Sequence, residues 1–450
     1  MTWFGCCKAG AVYLALNYML RGKDIAYCGN HSESKVLIVE DALYDLVKEV
    51  LDEMPGVKTL IWSDRGSGKP PEHDRFRDFE AWYKNSSPEE PDVCLRIEDP
   101  CQMTYTSGAE SLPKGVILNN QALMAQYMGA IVDGGFTEDD LTVNALPIYR
   151  CAQRDVFMTP IFWLGGTNVL TTPDLTTILE NIAAHRATMF FAPPTVWIGM
   201  LRHPDFAKYD LTSLRKCYYG ASIMPVEILK ELLEKFPDAQ IYNFYGQTEL
   251  APYHTILKAK DALKKLGAAG MGGLNMETRL EDAMGQAVET AGCPAEICGK
   301  GAHAMMMYFK EPEKTEEVMR GGWFHSGDVG VLDEDRYLSV VDRKKDMIKT
   351  GGENVSTREV EEAIYRDARV QEVAVIGLGH PRWVEAVTAV VVPKSGQKIG
   401  EQEIVDLCKK ELAPFKVPKA VLFCTELPKT PGGKILKRAM RVLYQDHFNR

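Results

Sequence analysis

The sequence predicts an α/β protein with a large N-terminal domain of parallel-type sheets flanked by helices, and a small α+β domain at the C-terminal end. Three observations predict it. From about residue 100 to 340, short β-rich runs alternate with helical patterns, the order that favours parallel sheets. After Arg343 the pattern restarts with a helix-capping signal, two β-branched runs and a further helix. Charge divides at the same place: residues 343–450 hold 20 Lys+Arg against 14 Asp+Glu, or +6, which leaves −16 on residues 1–342.

Taken in order, the opening MTWFGCCKAGAVYLALN is apolar, but Lys8 interrupts it and no basic region precedes it, so a secretory signal is not expected. No apolar run approaches the roughly 20 residues of a membrane span. Between Pro70 and Pro100 the chain is polar, charged and proline-rich, and reads as a surface excursion. Strands are expected in TVNALPIY, ATMFFAPP, KCYYGAS and QIYNFYG. In PVEILKELLEKF, Pro225 suits a first helical turn, and Ile228, Leu229, Leu232, Leu233 and Phe236 share one face. Beyond Arg343, Ser356-x-x-Glu359 is a capping box that opens a helix. The strands EVAVIGL and AVTAVVV follow, then a helix over 401–412 with Ile404, Leu407, Cys408 and Leu412 inward, then the strand KAVLFC. The expected domains are 1–342 and 343–450.

Composition narrows the class. A chain of 450 residues with 45 % hydrophobic and 25 % charged residues fits two or three globular domains, not a disordered or fibrous protein. Eleven cysteines without C-x-x-C spacing read as reduced thiols of a cytoplasmic protein, not a disulfide or zinc framework. The acidic body argues against nonspecific nucleic-acid binding. The basic C-terminal unit could attract a compact polyanion such as a nucleotide, or be no more than a solvated surface.

Chemistry concentrates in a few segments. YTSGAESLPKGV, residues 105–116, packs hydroxyls, glycines, a proline and Lys114 into a short span after a predicted strand. Small residues let backbone N–H groups approach an anion there, although the P-loop pattern G-x-x-x-x-G-K-[ST] does not fit. YNFYGQTEL at 242–250, WFHSGDVG at 323–330, DRKKDMIKTGGENVS at 342–356 and KTPGGKILKR at 429–438 follow in that order. Together these closely resemble the adenylate-forming superfamily of acyl-CoA synthetases, adenylation domains and firefly luciferase, along essentially the whole chain. The bacterial AMP-forming fatty-acyl-CoA ligases are the members it is most similar to in character.

The resemblance implies an enzyme that joins a carboxylic acid to AMP with release of pyrophosphate, then passes the acyl group to coenzyme A. Its small domain would be mobile, a lid that rotates between the two half-reactions. ATP, Mg²⁺ and coenzyme A are the implied cofactor and cosubstrates, with a medium- or long-chain fatty acid as the acid. An aryl or short branched acid, and an impaired homologue that only binds, are the alternatives. Thr106, Ser107, Gly108 and Lys114 match the loop that holds the β- and γ-phosphates. Tyr245 matches the aromatic that stacks on adenine, with Gly220 and Ala221 beside it. Thr248 matches a phosphate contact, and Glu249 the carboxylate that helps hold Mg²⁺, a hard cation suited to oxygen ligands. Asp328 and Arg343 match ribose contacts, and Lys434 the lysine that bridges the substrate carboxylate and the α-phosphate. Lys345 matches the hinge, and Gly351 and Gly352 the segment lining the pantetheine tunnel. Phe244, Trp197 and Gly246 would line the acyl pocket. No nucleic-acid or transmembrane partner is implied, and a homodimer is left open.

The chain departs from that pattern in three places. Ala109-Glu110-Ser111 stands where relatives commonly carry Thr-Thr-Gly, and a carboxylate near ATP phosphates repels by about 1 kcal/mol at 4 Å in bulk water. Arg150, in LPIYRCAQ, stands where many relatives carry a histidine near the acyl entrance; it either steers a carboxylate or makes a surface pair. The sequence also opens at a segment that relatives reach only after several dozen residues, so a truncated or shortened opening is expected.

Overall fold

The computed structural model describes residues 2–66, 75–106, 113–430 and 433–448. The chain divides into two compact units, Met1–Leu123 with Met305–Glu316, and Met124–Ala304 with Glu317–Arg450.

In the first unit, strands Pro100–Thr106 and Lys114–Asn119 pair antiparallel, in a register that sets Thr106 opposite Lys114. Tyr13–Leu14 and Met307–Tyr308 complete that sheet. A second sheet joins Val36–Glu40, Thr59–Ser63 and Phe76–Asp78 in parallel over a core that includes Ile25, Leu51, Met54 and Leu60. Here the structure corrects the expectation of an excursion from Pro70 to Pro100. Phe76 packs against Trp62 and Tyr44, with ring centroids 6.2 and 5.7 Å apart, and draws a polar segment into the sheet edge. Asp78 then caps the helix Phe79–Lys84 by accepting from the Ala81 N–H at 2.8 Å. Residues 80–98 are exposed throughout, as composition suggests.

The second unit is built on a seven-stranded sheet. Its order is Met271–Gly272, Thr255–Leu257, Gln240–Tyr245, Lys216–Gly220, Met189–Ala192, Leu141–Asn144, Thr167–Leu170. The last five run parallel and the first two antiparallel, as far as they pair. The alternating pattern therefore gives parallel order where βαβ units cover the sheet. One core joins Phe190 and Cys217 to Ile178, Ile182, Trp197, Leu229 and Leu232 from the flanking helices Leu175–His185, Pro194–Leu201 and Val226–Lys235. Pro225 precedes the last of these helices as its N-cap residue and does not lie inside it. Another core is aromatic: Phe136, Phe157, Phe191, Tyr218, Phe244 and Tyr253.

An antiparallel four-stranded sheet follows, Met276–Glu281, Ala295–Gly301, Phe324–Leu332 and Leu338–Arg343. The C-terminal segment forms its own five-stranded sheet around the long pair Val370–His380 and Val384–Pro393. Alternate residues of that pair, such as Val373, Val375, Val387, Ala389 and Val391, meet Val360, Ile364, Ile404 and Cys408 of two helices. These are Thr357–Tyr365 and Glu401–Glu411. Ser356 caps the first, accepting from the Glu359 N–H at 3.3 Å. The Glu359 carboxylate instead takes Lys416 at 2.6 Å, so the capping box is half used.

Candidate active site

Strand ends place the functional side chains. Gln240–Tyr245 delivers Tyr245 and runs into a tight turn whose single helical turn, Thr248–Leu250, carries Thr248 and the buried Glu249. Gly246 permits this turn, since a Cβ there would lie 1.8 Å from the Pro252 carbonyl oxygen. Gly220 ends the neighbouring strand, where a Cβ would lie 2.3 Å from the Phe244 oxygen, and Ala221 follows at φ +63°.

Asp328 is the centre of the constellation. It is 5 % exposed, and one carboxylate oxygen accepts from the Tyr245 hydroxyl at 2.8 Å and the Gln247 amide at 2.9 Å. Its other oxygen faces Arg343 Nε at 3.5 Å across the strand pair. Ser326 fixes the approach, accepting from the Asp328 N–H at 3.0 Å while donating to the Ile297 carbonyl at 2.7 Å. Burial and the Asp328 charge hold the Tyr245 phenol well above its ordinary range, so it stays a donor. Gln247 and Ser326 escape notice in the sequence, although both lie inside quoted motifs.

Lys434 comes to the same place from the C-terminal segment. Its amine is brought down to about 7, first by burial, then by the Arg343 and Arg150 guanidiniums, against the opposing pull of Asp328 and Asp346. Arg150 sits just before a π-helical turn, Ala152–Met158, whose Arg154 and Asp155 form a fully buried ion pair at 2.8 Å. The Arg150 Nε is buried and makes no hydrogen bond among the described residues. Lys434 thus feels the charges of Arg343, Arg150, Asp328 and Asp346 together, and Arg343 faces Asp328 at 3.5 Å, a mixture that suits anionic groups. Cys151, next to Arg150, lies 3.4 Å from the Thr248 hydroxyl.

Other expected site residues are placed elsewhere. Thr106 and Lys114 belong to the first unit, with the Lys114 amine 4.1 Å from the centre of the Tyr308 ring. Ser107, Gly108 and Glu110 lie outside the described residues. Lys345 is exposed in the turn after Arg343. Gly351 and Gly352 form a hairpin turn at φ +58° and +90°, with the Gly351 N–H donating to Trp383 at 2.9 Å. Trp197 occupies a core position instead of an open pocket wall: it is fully buried, and its indole N–H donates to the Tyr218 carbonyl at 3.0 Å. Phe244 is buried among Phe157, Tyr218 and Tyr253 at 5.6, 6.0 and 5.1 Å.

On the antiparallel four-stranded sheet, Glu281, Cys298 and His325 come within 4.8 Å of one another. Glu281 is already paired with Arg279, and burial pushes the Cys298 thiol up to about 12. The neighbouring Glu296 pairs with Arg320 at 3.0 Å. The cluster balances its charge internally.

A buried carboxylate at a strand end, a threonine–glutamate turn and a lysine from the C-terminal segment make up the candidate site. The chain belongs to the AMP-binding enzyme family: that family's model matches residues 1–309, and the model of its C-terminal domain matches residues 359–434. Within it, the chain falls among the acyl-CoA synthetases, which activate an acid as its adenylate. It is 34 % identical to a feruloyl-CoA synthase of an Amycolatopsis species over 98 % of this chain and 85 % of that one. It is 30 % identical to a long-chain-fatty-acid–CoA ligase of Thermus thermophilus, over 99 % and 83 %. The crystal structure of the anthranilate CoA ligase AuaEII in complex with anthranoyl-AMP superposes with TM-score 0.91 at 25 % identity, covering 100 % of this chain and 86 % of that one.

Proposed function

We propose that this chain ligates a compact, aromatic carboxylic acid to coenzyme A through its acyl-adenylate. The observation that carries the reading is buried Asp328 held by Tyr245, Gln247 and Arg343, with the Lys434 amine under the influence of the Asp328, Arg343 and Arg150 charges. Asp328 and Arg343 would hold the ribose of ATP. Lys434, with Arg150 beside it, would take the charge that builds between the acid carboxylate and the α-phosphate. Bound anions raise the lysine's proton affinity, so the amine becomes cationic when the substrates arrive. Adenylation then replaces an oxide, a poor leaving group, with AMP. Glu249, a buried carboxylate beside the Thr248 hydroxyl, offers the oxygen donors that Mg²⁺ accepts, and the ion would neutralise phosphate charge. Thr106 and Lys114 would serve the outer phosphates. Residues 343–450 would act as a lid turning at Lys345, with Gly351 and Gly352 beside the incoming thiol.

Two facts support a compact acid. The space behind Phe244 is filled by rings, with Phe157 stacked on Phe191 at 4.2 Å. A feruloyl-CoA synthase and an anthranilate CoA ligase are among the similar proteins. The second reading, a medium- or long-chain fatty acid, is supported by the similarity to a long-chain ligase. Pyrophosphate release with ferulate, benzoate and C8–C18 fatty acids tests both. Turnover restricted to the aromatic acids is expected. A kcat/KM favouring palmitate reverses the choice of acid, and no release from any acid, in a protein that melts cooperatively, overturns the ligase reading.

A further inference from the structure

Lys434 is carried on a turn gripped from two sides. On its own segment, Thr430 accepts from the Lys434 N–H through its hydroxyl at 3.1 Å, and the Thr430 N–H donates to the Lys434 carbonyl at 2.8 Å. The Lys429–Glu372 ion pair at 2.7 Å ties the base of the turn to its sheet. On the other side, across 238 residues of sequence, the Thr195 hydroxyl donates to the Gly433 carbonyl at 2.8 Å. Gly433 lies at φ +78°, and a Cβ there would sit 2.4 Å from the Thr195 oxygen. Thr195 itself cannot drift. It stands in the first turn of Pro194–Leu201, two residues before Trp197, which is buried completely and bonded to Tyr218.

We infer that Thr195 is a positioning residue for adenylation: its hydroxyl, held by the Trp197 anchor, captures the Gly433 carbonyl and so seats the turn that carries Lys434. This gives Trp197 a task that an acyl-pocket role does not need. The inference rests on the proposed role of Lys434, but its structural half can be tested without turnover.

The first arm reads the lysine itself. Labelling of Lys434 by an amine-selective reagent across pH 6 to 10, followed by mass spectrometry, gives its apparent pKa in the full chain. In the wild type this is expected near 7, since Arg343 and Arg150 oppose its charge and Asp328 and Asp346 favour it. In Thr195→Val the seat is lost, and the value moves at least one unit toward the ordinary lysine value of about 10.4. Thr195→Ser, which keeps the hydroxyl, restores the wild-type value. An unchanged pKa in Thr195→Val, or serine and valine variants that behave alike, overturns the inference. Thr195→Ala serves the same comparison if the valine variant does not melt cooperatively.

The second arm reads the half-reactions. Loss of one hydrogen bond of this kind slows adenylate formation about tenfold in Thr195→Val. Thioester formation from supplied acyl-adenylate is unchanged, and no further loss appears when the change is added to Lys434→Ala. A further loss on that background shows that Thr195 acts other than through Lys434, and overturns the inference. If the wild type forms no adenylate from any acid, the functional reading falls, and the labelling arm alone decides the positioning.

Discussion

The two sides of the site are held in opposite ways. On the side proposed to hold the ribose, Asp328 is buried, receives donors from Tyr245 and Gln247, and faces Arg343, with Ser326 fixing its backbone. Its contacts overlap, so no single donor is indispensable. On the lysine side, Lys434 lies under opposed influences, Arg343 and Arg150 against Asp328 and Asp346, and its turn reaches the parallel-sheet body through the Thr195–Gly433 bond. In the proposed reaction one side is complete before substrate arrives, and the other would be completed by the substrate's own charge. Damage on the lysine side should therefore be severe and specific, and on the ribose side graded.

The largest effect is expected from Lys434→Ala. Removing a preorganised charge from where negative charge develops costs about 10²–10³ in rate. Adenylation, read as pyrophosphate release, should fall by that much, while thioester formation from supplied acyl-adenylate should stay within about twofold of the wild type. Equal loss of both half-reactions in a folded protein would remove the distinction between the two sides.

The next effect concerns pH. A lysine whose pKa is lowered is neutral above that value, so the free enzyme loses the active ammonium as pH rises through about 7. Because kcat/KM reports the free enzyme, adenylation should fall about tenfold per pH unit above that point. Lys434→Arg keeps its charge at every accessible pH and should show a flat profile at a lower level. A profile that falls as steeply in the arginine variant as in the wild type would assign the titration to another group.

How far the sequence foretells this arrangement depends on distance along the chain. The long C-terminal strands are legible because Val373, Val375, Val387, Ala389 and Val391 alternate toward one core. The Ser356 cap is legible because its partner is three residues away. Trp197 is not, since an aromatic after two prolines reads alike in a core and in a pocket, and only its bond to Tyr218 separates them. Thr195 and Gln247 are hidden for a related reason: their partners lie 238 and 81 residues away, and nothing local distinguishes them from a helix start and a turn. The edge strand Phe76–Asp78 is masked by the prolines and charges around it, because recruitment by Trp62 and Tyr44 is a tertiary effect.

On the ribose side, Asp328→Asn sharpens the contrast. The amide keeps the shape but loses the charge, and its nitrogen or its weaker oxygen must face the Tyr245 and Gln247 donors and Arg343. Hydrogen bonds to a charged group contribute about 1.5–3 kcal/mol, so KM for ATP should rise about thirtyfold with a smaller change in kcat. A loss seen entirely in kcat would mean that Asp328 acts on the reacting atoms and not on the nucleotide's sugar.

Tyr245→Phe is the mildest case and the most demanding test of redundancy. The change removes one of the donors to a single carboxylate oxygen, while Gln247 at 2.9 Å and Arg343 at 3.5 Å remain. Phenylalanine keeps the ring, so any stacking on the nucleotide base survives, and no buried donor is left unpaired because the hydroxyl leaves with the substitution. The net cost of one such bond is about 1 kcal/mol, which corresponds to roughly a fivefold rise in KM for ATP with kcat unchanged. If this variant instead loses as much as Asp328→Asn, the donors act as one unit, and the ribose side is as brittle as the lysine side.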